Sequence, residues 1–341
     1  FFNALVFVFC FLSNIYAQNY RNAKAYISDF GKNELFVKEA LMEYSRSIID
    51  ADPENRVESE LEQIYIKLQN INDNLLKNDI GINGDVGLRD EFIKLNNRTI
   101  FLLKNKTLKL NDYAIQSNST YDEILKNFST KDIEIAKYYA DIIVYENYKK
   151  EFGLKYNLII RNYSGKNVFE YDAYQNLIFY KLNVLDDKLI KLFYLKDVDK
   201  LNECLVYMNS IINESIYKTT LMKNDFTDKS LNDVNIELIA FFQKQNTSLK
   251  NLYSVYYALS NELQKAKNMV AEDQDLIQIE AYNDLVKKYN FAKNSFFDAL
   301  FENQVSKKEL VDRWYQTNSL FLKNNIVFED IFEKYVTEEK K

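Results

Sequence analysis

From Lys166 to Lys341 the chain contains neither glycine nor proline. All six glycines lie at or before Gly165, and the single proline is Pro53. Closely paired strands need tight turns, which usually need Gly, Pro, Asn-Gly or Asp-Gly. The sequence holds one Asn-Gly pair, Asn83-Gly84. A sheet-based fold of this length would be starved of turns, whereas long helices joined by short polar loops need few of them. The expected fold class is therefore all-α: an elongated bundle of long antiparallel helices, with room for two related helical units.

No histidine occurs among the 341 residues. That removes the imidazole base of Ser and Cys nucleophiles. It also removes His ligation of zinc, haem or a di-iron helical bundle. Lys, Tyr, Asp and Glu could still move protons, but no spacing singles out a pair. We expect no enzyme, no catalytic residue, no cofactor and no metal. The net charge of −6, with both signs interleaved, carries no electrostatic footprint for nucleic acid.

Phe1 to Leu12 is almost wholly apolar and is followed by Ser13-Asn14-Ile15-Tyr16-Ala17. This reads as a signal peptide over 1–17, cut after Ala17. It leaves an N-terminal helical unit (18–165), a C-terminal helical unit (166–341) and no transmembrane segment in the mature chain. The expected location is the periplasm, the cell surface or the medium. Without Cys10 the mature chain keeps only Cys204, which falls on an apolar stripe with Leu201, Leu205, Met208, Ile211 and Ile212 and reads as a packed core thiol.

The helical periodicity predicts helices over 32–49, from Asp52 (N-cap) and Pro53 to about Lys77, and from Leu88 onward with a pause near Ser117-Asn118-Ser119. Further helices are expected from Ser129-Thr130 through Tyr148, then over 168–196, 198–222, 229–258, 261–303 and 307–336. Asp197, Asp228 and Ser306 are candidate N-caps. Gly81 to Gly87, with a glycine every third residue, reads as a flexible interhelical connection. Gly84-Asp85-Val86-Gly87-Leu88-Arg89-Asp90 and Thr227-Asp228-Lys229-Ser230-Leu231-Asn232-Asp233 share a pattern, consistent with duplication.

Leu88-Arg89-Asp90 leading into a helix, then Ser119-Thr120-Tyr121-Asp122, resembles an uncharacterised α-helical exported surface-protein family of Bacteroidetes and spirochaetes. The stretch from Glu309 through Trp314-Tyr315-Gln316-Thr317 to Phe321-Leu322-Lys323-Asn324-Asn325 is similar to the end of that family. The resemblance implies an exported helical protein of unknown activity and assigns no catalytic residue.

One stripe is the candidate partner-facing or packing seam. Leu310, Trp314, Thr317, Phe321, Asn324, Phe328, Ile331 and Tyr335 follow at alternating steps of four and three, a 3.5-residue repeat. Three weaker signals read as ordinary structure. Glu272-Asp273-Gln274-Asp275 lacks the central Gly of a calcium loop and reads as a solvated helix face. The closely spaced tyrosines at 138–156 and 253–257 read as core. Seven Asn-x-Ser/Thr sequons, including Asn246, are what an Asn-rich chain produces by chance. The expected function is that of an exported, non-enzymatic surface or envelope protein with an unidentified protein partner. A helical module for a small apolar or sugar-like ligand, lined by tyrosines, is the alternative.

Overall fold

The computed structural model describes residues 22–49, 54–105, 113–160, 166–272, 276–325 and 336–338. The expected signal peptide, Cys10, Asp52, Pro53, Asp273 to Asp275, Phe328, Ile331 and Tyr335 lie outside them. The described chain is all-α: α1 (Ala23–Ile49), α2 (Glu54–Asn78), α3 (Gly87–Lys104), α4 (Tyr113–Gln116), α5 (Tyr121–Lys155), α6 (Val168–Leu195), α7 (Val198–Met222), α8 (Ser230–Glu272) and α9 (Leu276–Asn325). Two three-residue strands, β1 (Leu158–Ile160) and β2 (Val336–Glu338), pair antiparallel with Leu158 opposite Glu338.

The chain forms two compact units, but not by a single cut at 165. One unit contains α1, α2, α3, the residues of α5 from Glu134 on, β1 and β2; the other contains α4, α5 up to Ile133, and α6 to α9. The expected 18–165 and 166–341 division is corrected on both sides. Asp132 of α5 is tied to Lys181 of α6, and Phe128 meets Tyr180 with ring centroids 6.0 Å apart. At the other end, β2 pairs with β1.

In the first unit, Tyr26 and Phe30 of α1, Phe92 of α3, and Tyr145 and Phe152 of α5 pack with Ile82 and Leu88. The rings of Tyr26, Phe30, Phe92 and Tyr145 meet edge to face at 5.1, 5.6 and 5.9 Å. The connection from α2 to α3 is a built turn rather than the expected flexible one. Asn83 and Gly84 both have positive φ, 52° and 81°, the geometry of a two-residue hairpin turn. Ile82 and Asp85 exchange backbone hydrogen bonds of 3.2 and 2.9 Å. Buried Asp79 accepts from the Gly81 N–H at 2.7 Å and from the Tyr26 hydroxyl at 3.1 Å. The Asp85 carboxylate accepts from Gly87 N–H, Lys155 Nζ and the Tyr156 hydroxyl.

In the second unit α6 lies at the centre. Ten consecutive residues, Leu177 to Asp186, are buried, because α4, α5, α7, α8 and α9 each place side chains on it. Such all-round burial calls for a helix that is apolar on every face. The polar residues Lys181, Asn183 and Asp186 are embedded in that run and bring their partners with them. Side-chain pairs fix the directions. Phe193–Tyr253 and Gln175–Asn232 set α8 parallel to α6; Phe179–Trp314 and Phe193–Phe296 set α9 antiparallel to it; Lys181–Glu214 and Leu185–Cys204 do the same for α7.

Beyond α3, the described helix ends are made without glycine. Lys196 takes φ 57° at the C-cap of α6 and Asn157 takes φ 55° after α5. Thr120 and Glu123 form a reciprocal capping box at α5. Asn167 caps α6 and Asp197 caps α7. Asp85 and Asp228 each accept from the N–H two residues on, so the two similar heptapeptides share local geometry. Three expected breaks are absent. Thr130 bonds back to the Lys126 carbonyl at 2.8 Å inside α5. Thr130 is a short polar side chain that would suit a cap and instead bonds to its own helix. Helix α8 passes through 258–261 and α9 through Ser306, and the nearby Ser254 and Asn303 bond back to the carbonyls of Lys250 and Ala299.

Candidate interaction surface

The seam of the last helix turns inward. Leu310, Trp314 and Phe321 are buried, Thr317 is half-buried and Asn324 exposed. The Trp314 indole stacks on Phe179 with centroids 4.0 Å apart, and its N–H donates to Asn235 Oδ1 at 2.9 Å. Phe321 meets Tyr171 and Phe226 at 5.2 and 5.4 Å. These residues hold α9 to α6 and α8, so the described part of the seam is packing and not a partner-facing surface.

The clustered tyrosines are also used in packing. Tyr139 and Tyr145 are buried, as are Tyr253 and Tyr256. The last two interleave with Phe193 and Phe296 at 5.0 to 5.8 Å. Cys204 is fully buried with its thiol toward the Leu185 carbonyl, and burial pushes that thiol up to about 12. Among the described residues no group of three or more His, Cys, Asp or Glu side chains is arranged to hold a metal ion, and no helix is long and apolar enough to cross a membrane.

The second unit carries its polar groups in the interior. Lys181 bridges Asp132 and Glu214, and Lys218 bridges the same two carboxylates at 2.8 and 2.7 Å. This alternating square of charge joins α5, α6 and α7. Lys307 of α9 reaches Asp186 at 2.7 Å and Asp187 at 2.8 Å, and Gln245 of α8 donates to Asp186 at 2.5 Å. Burial opposes the charge on Lys307, but the two carboxylates more than offset it and hold its ammonium above the ordinary range. Asp172 differs: it is buried, its carboxylate accepts from Asn318 Nδ2 at 2.7 Å, and among the described residues no cation acts on it. Burial pushes Asp172 up to about 7, against the lowering by Asn318.

These ties hold the lower parts of α8 and α9 to α6. Above them the pair continues alone. Tyr256 and Tyr289 face each other at 5.7 Å, and Lys196, at the turn from α6 to α7, lies 5.4 Å over the Tyr256 ring. Beyond that level, no described side chain from Tyr257 to Met269 or from Leu276 to Phe291 is buried. The arm runs for roughly 20 Å at 1.5 Å per residue. Its inner faces, Leu259, Leu263 and Ala266 on α8 against Ile279, Tyr282, Leu285, Val286 and Tyr289 on α9, are half-buried and follow a coiled-coil spacing. Its outer faces expose Met269 (62%), Leu276 (80%), Ile277 (76%) and Phe291 (76%). Sequence reasoning missed this arm because it placed a break near 258–261 and ran one helix over 261–303, across the division between α8 and α9. The signal that could have found it is the pair of apolar stripes, 256–259–263–266 and 279–282–286–289, either side of 273–275.

No protein-family model matches the chain, and no solved structure matches it. The flagellar hook-length control protein of Buchnera aphidicola subsp. Schizaphis graminum (strain Sg) is 26% identical over 255 residues, which cover 67% of this chain. The matched region is 65% of that protein's own length, just under two thirds.

Proposed function

We propose that the chain is an exported, non-enzymatic protein of the bacterial cell surface or envelope, which acts by docking a protein partner on the α8–α9 arm. The exposed arm carries this reading: Met269 and Leu276, toward the far end of the two helices, are 62% and 80% exposed, and exposed large apolar groups mark interaction sites when they cluster. Three features support it. The sequence has no histidine. Its likeness to a hook-length control protein points to work on a protein assembly rather than on a substrate. The resemblance to exported helical surface proteins of Bacteroidetes and spirochaetes agrees with the apolar stretch before Ala17.

The test is cross-linking in intact native cells with the full chain tagged at its C-terminus, beside a variant carrying Met269→Ser and Leu276→Ser. The same envelope protein should be recovered with the parent chain and lost with the variant. Recovery of that protein from both would overturn the arm as the docking element. Mass spectrometry of the native protein should find Gln18 as its first residue; a retained 1–17 segment would remove the export reading.

A further inference from the structure

The face of α9 that points away from α8 along the arm has its own order. Ile277, Glu280, Asp284, Lys287 and Phe291 follow at steps of three, four, three and four, a 3.5-residue stripe. At 100° per residue this stripe lies opposite the inner seam of Ile279, Tyr282, Val286 and Tyr289. All five residues, and Lys288 beside them, are exposed. A helix face that merely meets water has no need of large apolar groups at both ends, yet Ile277 and Phe291 are each 76% exposed.

The charges between these ends are sorted: acidic residues come first (Glu280, Asp284) and basic residues second (Lys287, Lys288). Such a stripe is complementary to itself when reversed. If two copies cross antiparallel about position 284, Ile277 of each opposes Phe291 of the other, Glu280 opposes Lys288 beside the stripe, and Lys287 falls opposite Ala281. Asp284 falls on the two-fold axis with its own Lys288 3.1 Å away, which tempers the approach of two like carboxylates. A parallel arrangement would set acid on acid and base on base, which disfavours it. We propose that the outer face of α9 between Ile277 and Phe291 is a homodimer contact, with a second copy of this chain as its occupant and an antiparallel, two-fold geometry. This inference is independent of the partner read by Met269 and Leu276. One helix laid on one helix over four turns is small beside the roughly 1,000 Å² of a strong interface, so the expected dissociation constant is in the micromolar range.

The experiment is sedimentation velocity on the full chain across about 1 to 300 μM. The parent should shift from monomer to dimer within that window. Ile277→Glu alone and Phe291→Lys alone should each weaken dimerisation at least about tenfold. Combining I277E with F291K in one chain should restore it, because the new charges meet only across the interface; within a copy they stand four turns apart. Spin labels at position 284 should lie close together in the dimer, and labels at 277 farther apart by roughly 20 Å along the helix axis. All substituted side chains are exposed, and circular dichroism checks that the fold is kept. A monomer throughout the range, a dimer indifferent to both single substitutions, or a double variant no better than either single one would each overturn the proposal. None of these outcomes bears on partner capture in cells, so the two readings can fail separately.

Discussion

Asp172, buried and accepting from Asn318, carries a pH dependence of its own. Its folded carboxyl titrates near about 7, because burial disfavours the charged form. The unfolded value is 3.8. Between the two, the folded chain binds the proton that the unfolded chain has lost, so stability falls as pH rises from about 4 to about 7 and levels off above. Each tenfold change in proton affinity is worth about 1.4 kcal/mol, which sets an upper bound of about 4 kcal/mol for this residue. Asp172→Asn keeps an oxygen for the Asn318 amide and carries no charge. The urea midpoint of that variant is expected to rise at pH 8, with a flatter profile between pH 4 and 8; an unchanged profile would show that Asp172 does not titrate there. Glycines make a second residue-level contrast. A Cβ on Gly84 meets nothing within 4 Å, but its φ is +81°, so Gly84→Ala should cost about 1 kcal/mol. Gly81 has φ +73°, and a Cβ there would lie 2.0 Å from the Asp85 carbonyl oxygen. Gly81→Ala should therefore cost about 3 kcal/mol or more, and equal losses in denaturation would contradict the built turn.

Among the elements, α6 and the α8–α9 pair show opposite uses of helical sequence. Helix α6 is covered on every side, and its buried Lys181 and Asp186 find their counterions on α5, α7 and α9. Helices α8 and α9 are buried only along their lower parts. Local opening is easiest where few apolar contacts must be broken. Hydrogen exchange at low micromolar concentration should therefore release the amides of 257–272 and 276–291 well before those of 230–256 and 292–325. Uniform protection along both helices would show that the arm is held by contacts beyond its own seam. Periodicity predicted the existence of nearly every helix, because an amphipathic stripe is a local property. Boundaries were less legible: Ser129-Thr130, Ser306 and the polar pair Ser260-Asn261 look like stops, yet α5, α9 and α8 continue through them.

Among the described residues, one core surrounds Phe30, Phe92 and Tyr145 and another surrounds α6, with a smaller cluster at Ile64, Leu68 and Ile100, and α5 contributes to both units. Calorimetry should resolve two transitions, with Phe30→Ala lowering one and Leu189→Ala the other. A single transition lowered by both substitutions would show that the units unfold as one. The shortage of Gly and Pro dictated an all-α chain, since turns cannot be made without residues that tolerate them, and the spacing of apolar residues dictated most of the helices. Tertiary packing decided which stripe is covered. Leu310, Trp314 and Phe321 and the stripe from Ile277 to Phe291 both recur every 3.5 residues, yet the first is buried against α6 and α8 while Ile277 and Phe291 of the second are each 76% exposed. A period records that a helix has a face; only the arrangement of its neighbours determines whether that face meets protein or water.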